Sequence, residues 1–193
     1  MILYTGDIKM NEKKLAVIFP GIGYHKDKPL LYYASKLVSS KGYDVINIEY
    51  HDMPQKIRGN EAMMRKAAML AYSQSEEQLK DVDIKGYDSV IFIGKSIGTV
   101  ALAKYINDHK LDARQIWYTP VEATFLFDSK DVIAFIGDDD PWSDVDAVKK
   151  MAKEQSVSLY SYLGCNHSLE SADVDKNIEN LRDVMQKTDS FVG

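Results

Sequence analysis

The 193-residue sequence predicts an α/β fold: a doubly wound, mostly parallel sheet of six or seven strands with helices on both faces, in three layers and one domain over residues 1–193. Continuous apolar runs bounded by turn residues recur along the chain, as strands buried on both faces require. Stretches of helical length and composition separate them, and right-handed crossovers between parallel strands place such helices over the sheet. With 45% apolar and 27% charged residues, the chain also has the ordinary balance of a globular domain large enough to bury its own core.

The first clear run is residues 15–19, closed by Pro20 and Gly21. Asp27 stands where a helix cap would, Pro29 suits a first helical turn, and Gly42 ends a helix running to about Ser40. Residues 44–50 form a second run, followed by a segment from about 60 to 79 rich in Ala, Met, Glu, Gln and Lys. The third run, 89–93, meets Gly94, and helical spacing resumes over 97–109. Runs at 115–118 and 131–136 end at Pro120 and Gly137; a helix over about 143–154 separates the latter from a sixth run at 157–162. A final amphipathic helix is expected over about 174–186, with a frayed tail at 188–193.

Charge and cysteine usage narrow the function classes. The net charge is −5, from 24 basic and 29 acidic side chains, and no segment gathers the basic ones into the stripe that phosphate backbones need. Nucleic acid is therefore not an expected partner. The first seven residues carry no basic start, and no apolar run is long enough for a signal peptide or a spanning helix. Cys165 is the sole cysteine, so no intramolecular disulfide can form. A cytoplasmic protein away from membranes is expected.

In open parallel sheets ligands sit beyond the carboxyl ends of the strands. Gly94-Lys95-Ser96-Ile97-Gly98 occupies such a place, where an apolar run stops and a helix begins. A serine flanked by glycines here suits a turn so tight that the serine backbone is strained; its hydroxyl is lifted from the sheet and the Ile97 amide is aimed at the oxygen of an attacked carbonyl. The rival reading of Gly94-Lys95-Ser96 as the end of a phosphate-binding loop fails at Ser89, where that motif needs glycine, and at residues 90–93, which are strand-like.

A serine hydroxyl needs a base, and the base an orienting carboxylate. Of four histidines, His25, His51, His109 and His167, only His167 lies C-terminal to Ser96 on a loop after a strand. The acid is sought in Asp138-Asp139-Asp140 after the fifth run, with Asp140 favoured because early loop aspartates usually satisfy local amides. Glu122 is the outside candidate. The acidic cluster lacks further oxygen ligands at calcium-loop spacing, so no metal is expected. Cys165 is read as incidental, and Met63, Met64 and Met69 as core filling.

Serine turn, aspartate and histidine, each after a successive strand, make the sequence resemble the α/β-hydrolase superfamily over residues 14 to about 187. Gly137 and Asp140 match that family's glycine-x-x-acid, His167-Ser168-Leu169 its histidine context, and Ser96 its nucleophile. The resemblance implies a Ser96–His167–Asp140 catalytic triad without cofactor, and a second oxyanion donor in the loop after the first run. There Ile22, with Gly23 as the alternative, stands in Pro20-Gly21-Ile22-Gly23-Tyr24, and Pro20 departs from the family's common histidine. Gly23, Tyr24, His25 and Trp142 are expected to line the substrate site. The short N-terminus reduces the usual hairpin to one edge strand within residues 2–8, and the short stretch from 120 to 131 leaves no room for a lid. A serine hydrolase of small esters or thioesters is expected; acyl transfer by the same residues and a non-catalytic binding protein are the alternatives.

Overall fold

A computed structural model describes residues 12–193. Six strands lie in one parallel sheet: β1 (Lys14–Phe19), β2 (Tyr43–Asn47), β3 (Ser89–Lys95), β4 (Arg114–Tyr118), β5 (Val132–Gly137) and β6 (Ser158–Tyr162), in the order β2-β1-β3-β4-β5-β6. Five α-helices connect or follow them: α1 (Pro29–Ser40), α2 (Glu61–Leu79), α3 (Ile97–His109), α4 (Val145–Glu154) and α5 (Val174–Val192). The edge strand expected within residues 2–8 lies outside the described residues.

Strand alternation splits the core in two. Leu15, Val17, Phe92 and Trp117 point to the face covered by α2, α3 and α4, whereas Ala16, Ile18, Ile91, Ile93 and Phe135 meet α1 and α5 on the other. The order reverses at β1, which sits between β2 and β3. Crossovers on either side of this point run to opposite faces, and sheets of this kind bind ligands beyond the carboxyl ends of the strands at such a switch point.

Several boundaries differ from expectation for identifiable reasons. Asp27 does not cap α1; Lys28 occupies that position without a side-chain bond, and Pro29 opens the helix as expected. Asn60, Asp144 and Asp173 do cap α2, α4 and α5, each accepting from a main-chain amide three residues on. The second strand ends at Asn47, and the Ile48 amide adds one last bond to the Ile18 carbonyl before the chain leaves the sheet. The tail does not fray, since α5 runs to Val192. Arg114 donates to the carbonyls of Phe191 and Val192, Lys41 pairs with Asp189 at 2.8 Å, and Thr188 is buried against the Tyr118 hydroxyl. Met69 is half exposed and fills no core. Among the described residues no helix is long and apolar enough to cross a membrane.

Candidate active site

The turn from β3 into α3 is shaped by what its glycines lack. A Cβ on Gly94 would lie 2.3 Å from Leu102 of α3, and one on Gly98 would lie 2.3 Å from the Phe19 carbonyl oxygen at the end of β1. Without side chains at both positions the helix drops straight onto the sheet. Between them Ser96 takes φ 55° and ψ −123°, a conformation that costs a non-glycine residue about 1–3 kcal/mol and persists only where surroundings enforce it. Enforcement comes from the Ser96 amide bonding the Tyr118 carbonyl, and from the Thr99 amide and hydroxyl both bonding the Ser96 carbonyl.

Gly137 does for the other two loops what Gly98 does for the turn. A Cβ there would stand 2.1 Å from the Cys165 carbonyl oxygen, so only glycine lets the loop after β6 close over the end of β5. The Asp139 amide bonds the Cys165 carbonyl, and Asp138 accepts from the Gly164 amide at 2.5 Å. Asp138 and Asp139 thus stitch the loops together, and Asp140 alone turns inward. Its side chain is fully buried, one oxygen accepting from the Trp142 amide at 2.9 Å and the other 2.6 Å from His167 Nδ1. Asn166 folds the histidine loop by accepting from the amides of Ser168 and Glu170, with Leu169 in the left-handed region at φ 59°. Nε2 of His167 lies 2.7 Å from Ser96 Oγ. The three side chains therefore form one continuous hydrogen-bonded series.

Burial pushes the His167 imidazole down from its ordinary 6.5 to about 4, with help from the nearby Lys95 charge and against the pull of Asp140. The ring of Trp142 stacks on His167 with centroids 5.7 Å apart. Glu122 is elsewhere engaged, accepting from the Asp144 amide at 2.7 Å. Cys165 is buried, and desolvation together with the nearby Asp138 charge pushes its thiol up against the opposing bond donated by Asn180, so the thiolate is disfavoured.

After β1 the chain makes a tight turn in which Gly21 and Tyr24 exchange both main-chain bonds and Gly23 takes φ 73°. Gly21 lies against the serine turn, where a Cβ would be 3.3 Å from Ser96 Cβ. Among the described residues the amides of Ile22, Gly23 and Ile97 have no hydrogen-bond partner. Ile22 and Ile97 pack their side chains with Val100, Met63, Met64 and Trp142 into a third apolar cluster beside Ser96. Pro20, Gly21, Ile22, Gly23 and His25 also border an open cleft of about 740 Å³, whose far wall is Glu49, Tyr50, His51, Asp52, Met53 and Gln55. Tyr24 does not line it. The Gly21–Tyr24 bridge turns that ring inward, 8% exposed, with its hydroxyl accepting from the Leu30 amide. Among the described residues no group of three or more His, Cys, Asp or Glu side chains is placed to hold a metal ion.

Sequence reasoning missed two residues near the site. Arg58 donates from Nε to the Pro141 carbonyl at 3.1 Å, tying the segment before α2 to the aspartate loop. Lys95, which the sequence suggests only as a phosphate-loop lysine, is buried next to Ser96; its odd position in β3, shared with Ile91 and Ile93, is the available signal.

No family model matches the chain, and no curated relative does either. Solved structures do. A serine hydrolase homologue from Coxiella burnetii superposes with a TM-score of 0.68 at 16% identity, over 96% of this chain and 88% of that one. The chain has the α/β-hydrolase fold. Est1E from Butyrivibrio proteoclasticus, solved with ferulic acid bound, gives a TM-score of 0.67 at 12% identity over 95% and 90% of the two chains. A serine hydrolase without a lid from Xanthomonas campestris gives 0.60 at 12% identity over 96% and 84%. Consistent with the lidless form of the fold, only residues 119–131, which include a single 3₁₀ turn (Glu122–Leu126), join β4 to β5.

Proposed function

We propose that this chain is a serine hydrolase of small esters or thioesters, working through an acyl-enzyme on Ser96. The observation that carries the reading is the series Ser96 Oγ, His167 and Asp140, with contacts of 2.7 and 2.6 Å, raised on a strained turn above the sheet. In this reading His167 Nε2 takes the Ser96 proton as Oγ attacks the carbonyl carbon, and Asp140 holds the ring and stabilises its cation. The negative oxygen is received by the free amides of Ile97 and Ile22, each such donor being worth about 2.7–4 kcal/mol at the transition state. The proton passes to the leaving group, water enters, and His167 acts as base again to release the acid and restore Ser96.

Two features bear on the substrate. The apolar cluster of Ile22, Ile97, Met63, Met64 and Trp142 offers a wall for a short acyl group. The adjoining cleft is polar and open, carrying His25, Lys26, Asp27, Glu49, His51 and Asp52, and no cap stands between β4 and β5 to shield a long chain from water. The test is a series of p-nitrophenyl esters from acetate to palmitate with wild type and Ser96→Ala. Turnover of the short esters that declines with chain length and vanishes in the variant supports the reading. Equal turnover by the variant, or none by the wild type, refutes it.

A further inference from the structure

Directly behind Ser96 sits a charge that the acyl-enzyme chemistry does not use. Lys95 is 1% exposed, and strand alternation sends its side chain into the core between the sheet and the α1/α5 layer. Its Nζ lies 4.9 Å from the centroid of the Tyr24 ring, the residue that closes the turn bearing the Ile22 amide. Among the described residues no carboxylate comes within 4.0 Å of this ammonium, which faces Asp140 on the loop after β5 and Glu170 and His167 on the loop after β6. The phenols of Tyr24 after β1 and Tyr118 in β4 complete its surroundings, and burial pushes both up, so neither supplies a counter-charge. An ammonium buried without an ion-pair partner is costly where a methionine of the same length would pack freely. Its place gives it a use: it precedes Ser96 in the chain, and Ser96 Oγ lies 2.7 Å from His167 Nε2.

We propose that Lys95 is a positioning residue of the reaction: a buried cation, seated on the Tyr24 ring, that opposes protonation of His167 and so keeps the imidazole a base in acid. The inference rests on the serine-hydrolase reading for its role, but the electrostatic coupling exists with or without turnover. Desolvation brings Lys95 down from 10.5 to about 7, against the pull of Asp140 and Glu170. On acidification Lys95 therefore gains its proton before His167 does, and the second positive charge must then enter a dry region already holding the first. Asp140 draws a proton toward His167 and Lys95 resists it. Above neutrality Lys95 is largely uncharged, and the imidazolium formed during turnover meets no such resistance.

Two readouts on wild type, Lys95→Met and Tyr24→Phe separate the possibilities. The first follows the imidazole Cε1 proton of His167 by NMR from pH 3.5 to 8, assigned with His167→Ala; the second follows the rate of Ser96 modification by a fluorophosphonate over the same range. Lys95→Met is expected to raise the His167 midpoint by about one pH unit, a tenfold change in proton affinity, and to move the acid limb of labelling by the same amount. Tyr24→Phe, which keeps the ring under the ammonium, is expected to leave both where the wild type has them. Should Lys95→Met lose cooperative melting, Lys95→Gln carries the same expectation. An unmoved His167 midpoint in a folded neutral variant overturns the proposal. Absence of labelling in the wild type overturns the hydrolase reading instead, while the NMR titration still decides whether Lys95 acts on His167.

Discussion

Acidifying the protein from pH 8 to pH 5 distinguishes a buried, charge-opposed histidine from an ordinary one. A base titrating at about 4 stays roughly 90% neutral at pH 5, whereas one at the ordinary 6.5 falls to about 3%. The ratio, about thirtyfold, is large against any assay error. kcat/KM for p-nitrophenyl acetate, followed at the isosbestic wavelength of the released phenol, should therefore stay well above about 3% of its plateau at pH 5, any decline coming from the Lys95 charge that resists the imidazolium of turnover. The fold must be monitored in parallel, because the same depression weakens it. Between pH 6.5 and about 4 the unfolded chain binds a proton at His167 that the folded one refuses, so stability is lost as pH falls through that window. At 1.36 kcal/mol per pH unit the loss reaches about 3 kcal/mol near pH 4. Activity dropping to a few per cent at pH 5, with the circular dichroism spectrum unchanged, would refute a buried, charge-opposed imidazole at His167.

Gly98→Ala places a Cβ 2.3 Å from the Phe19 carbonyl, so α3 must retreat by about 1 Å. We expect a loss of about 1–3 kcal/mol in a urea melt, and about a hundredfold in kcat because the Ile97 amide moves with the helix. Asp140→Asn keeps the bond from the Trp142 amide but favours the wrong histidine tautomer; kcat should fall by about 10⁴ with the melting temperature little changed. Arg114→Ala frees the carbonyls of Phe191 and Val192 and removes the guanidinium from the Phe191 ring. A loss of about 1–2 kcal/mol is expected, and limited proteolysis should then trim the end of α5 first.

Most of the site is legible in the sequence because its parts are defined by local backbone demands. Gly94 and Gly98 mark the serine turn, and Gly137 marks the close approach of two loops; each tolerates no side chain, so each leaves a signature at a fixed offset from Ser96 or Asp140. The strands are legible because burial on both faces writes continuous apolar runs. What escapes depends on distant partners. The polar stretch Thr188-Asp189-Ser190 reads as a tail until Arg114, Lys41 and Tyr118, all far away in sequence, hold it in α5. Tyr24 reads as an aromatic at a loop surface until the Gly21–Tyr24 bridge turns it inward. Lys95 is hidden by its chemistry, since a lysine at a strand end is ordinarily solvated; its shared face with Ile91 and Ile93 is the faint signal, and its packing over the Tyr24 ring settles its burial.

The central claim is that Ser96 is a nucleophile activated through His167 and Asp140. Intact-mass analysis after treatment with a fluorophosphonate tests it without knowledge of the substrate. One adduct is expected on the wild type, none on Ser96→Ala, and slowed labelling of His167→Ala and Asp140→Asn. A folded wild type that takes up no label, or a Ser96→Ala variant that labels as fast as the wild type, would contradict it.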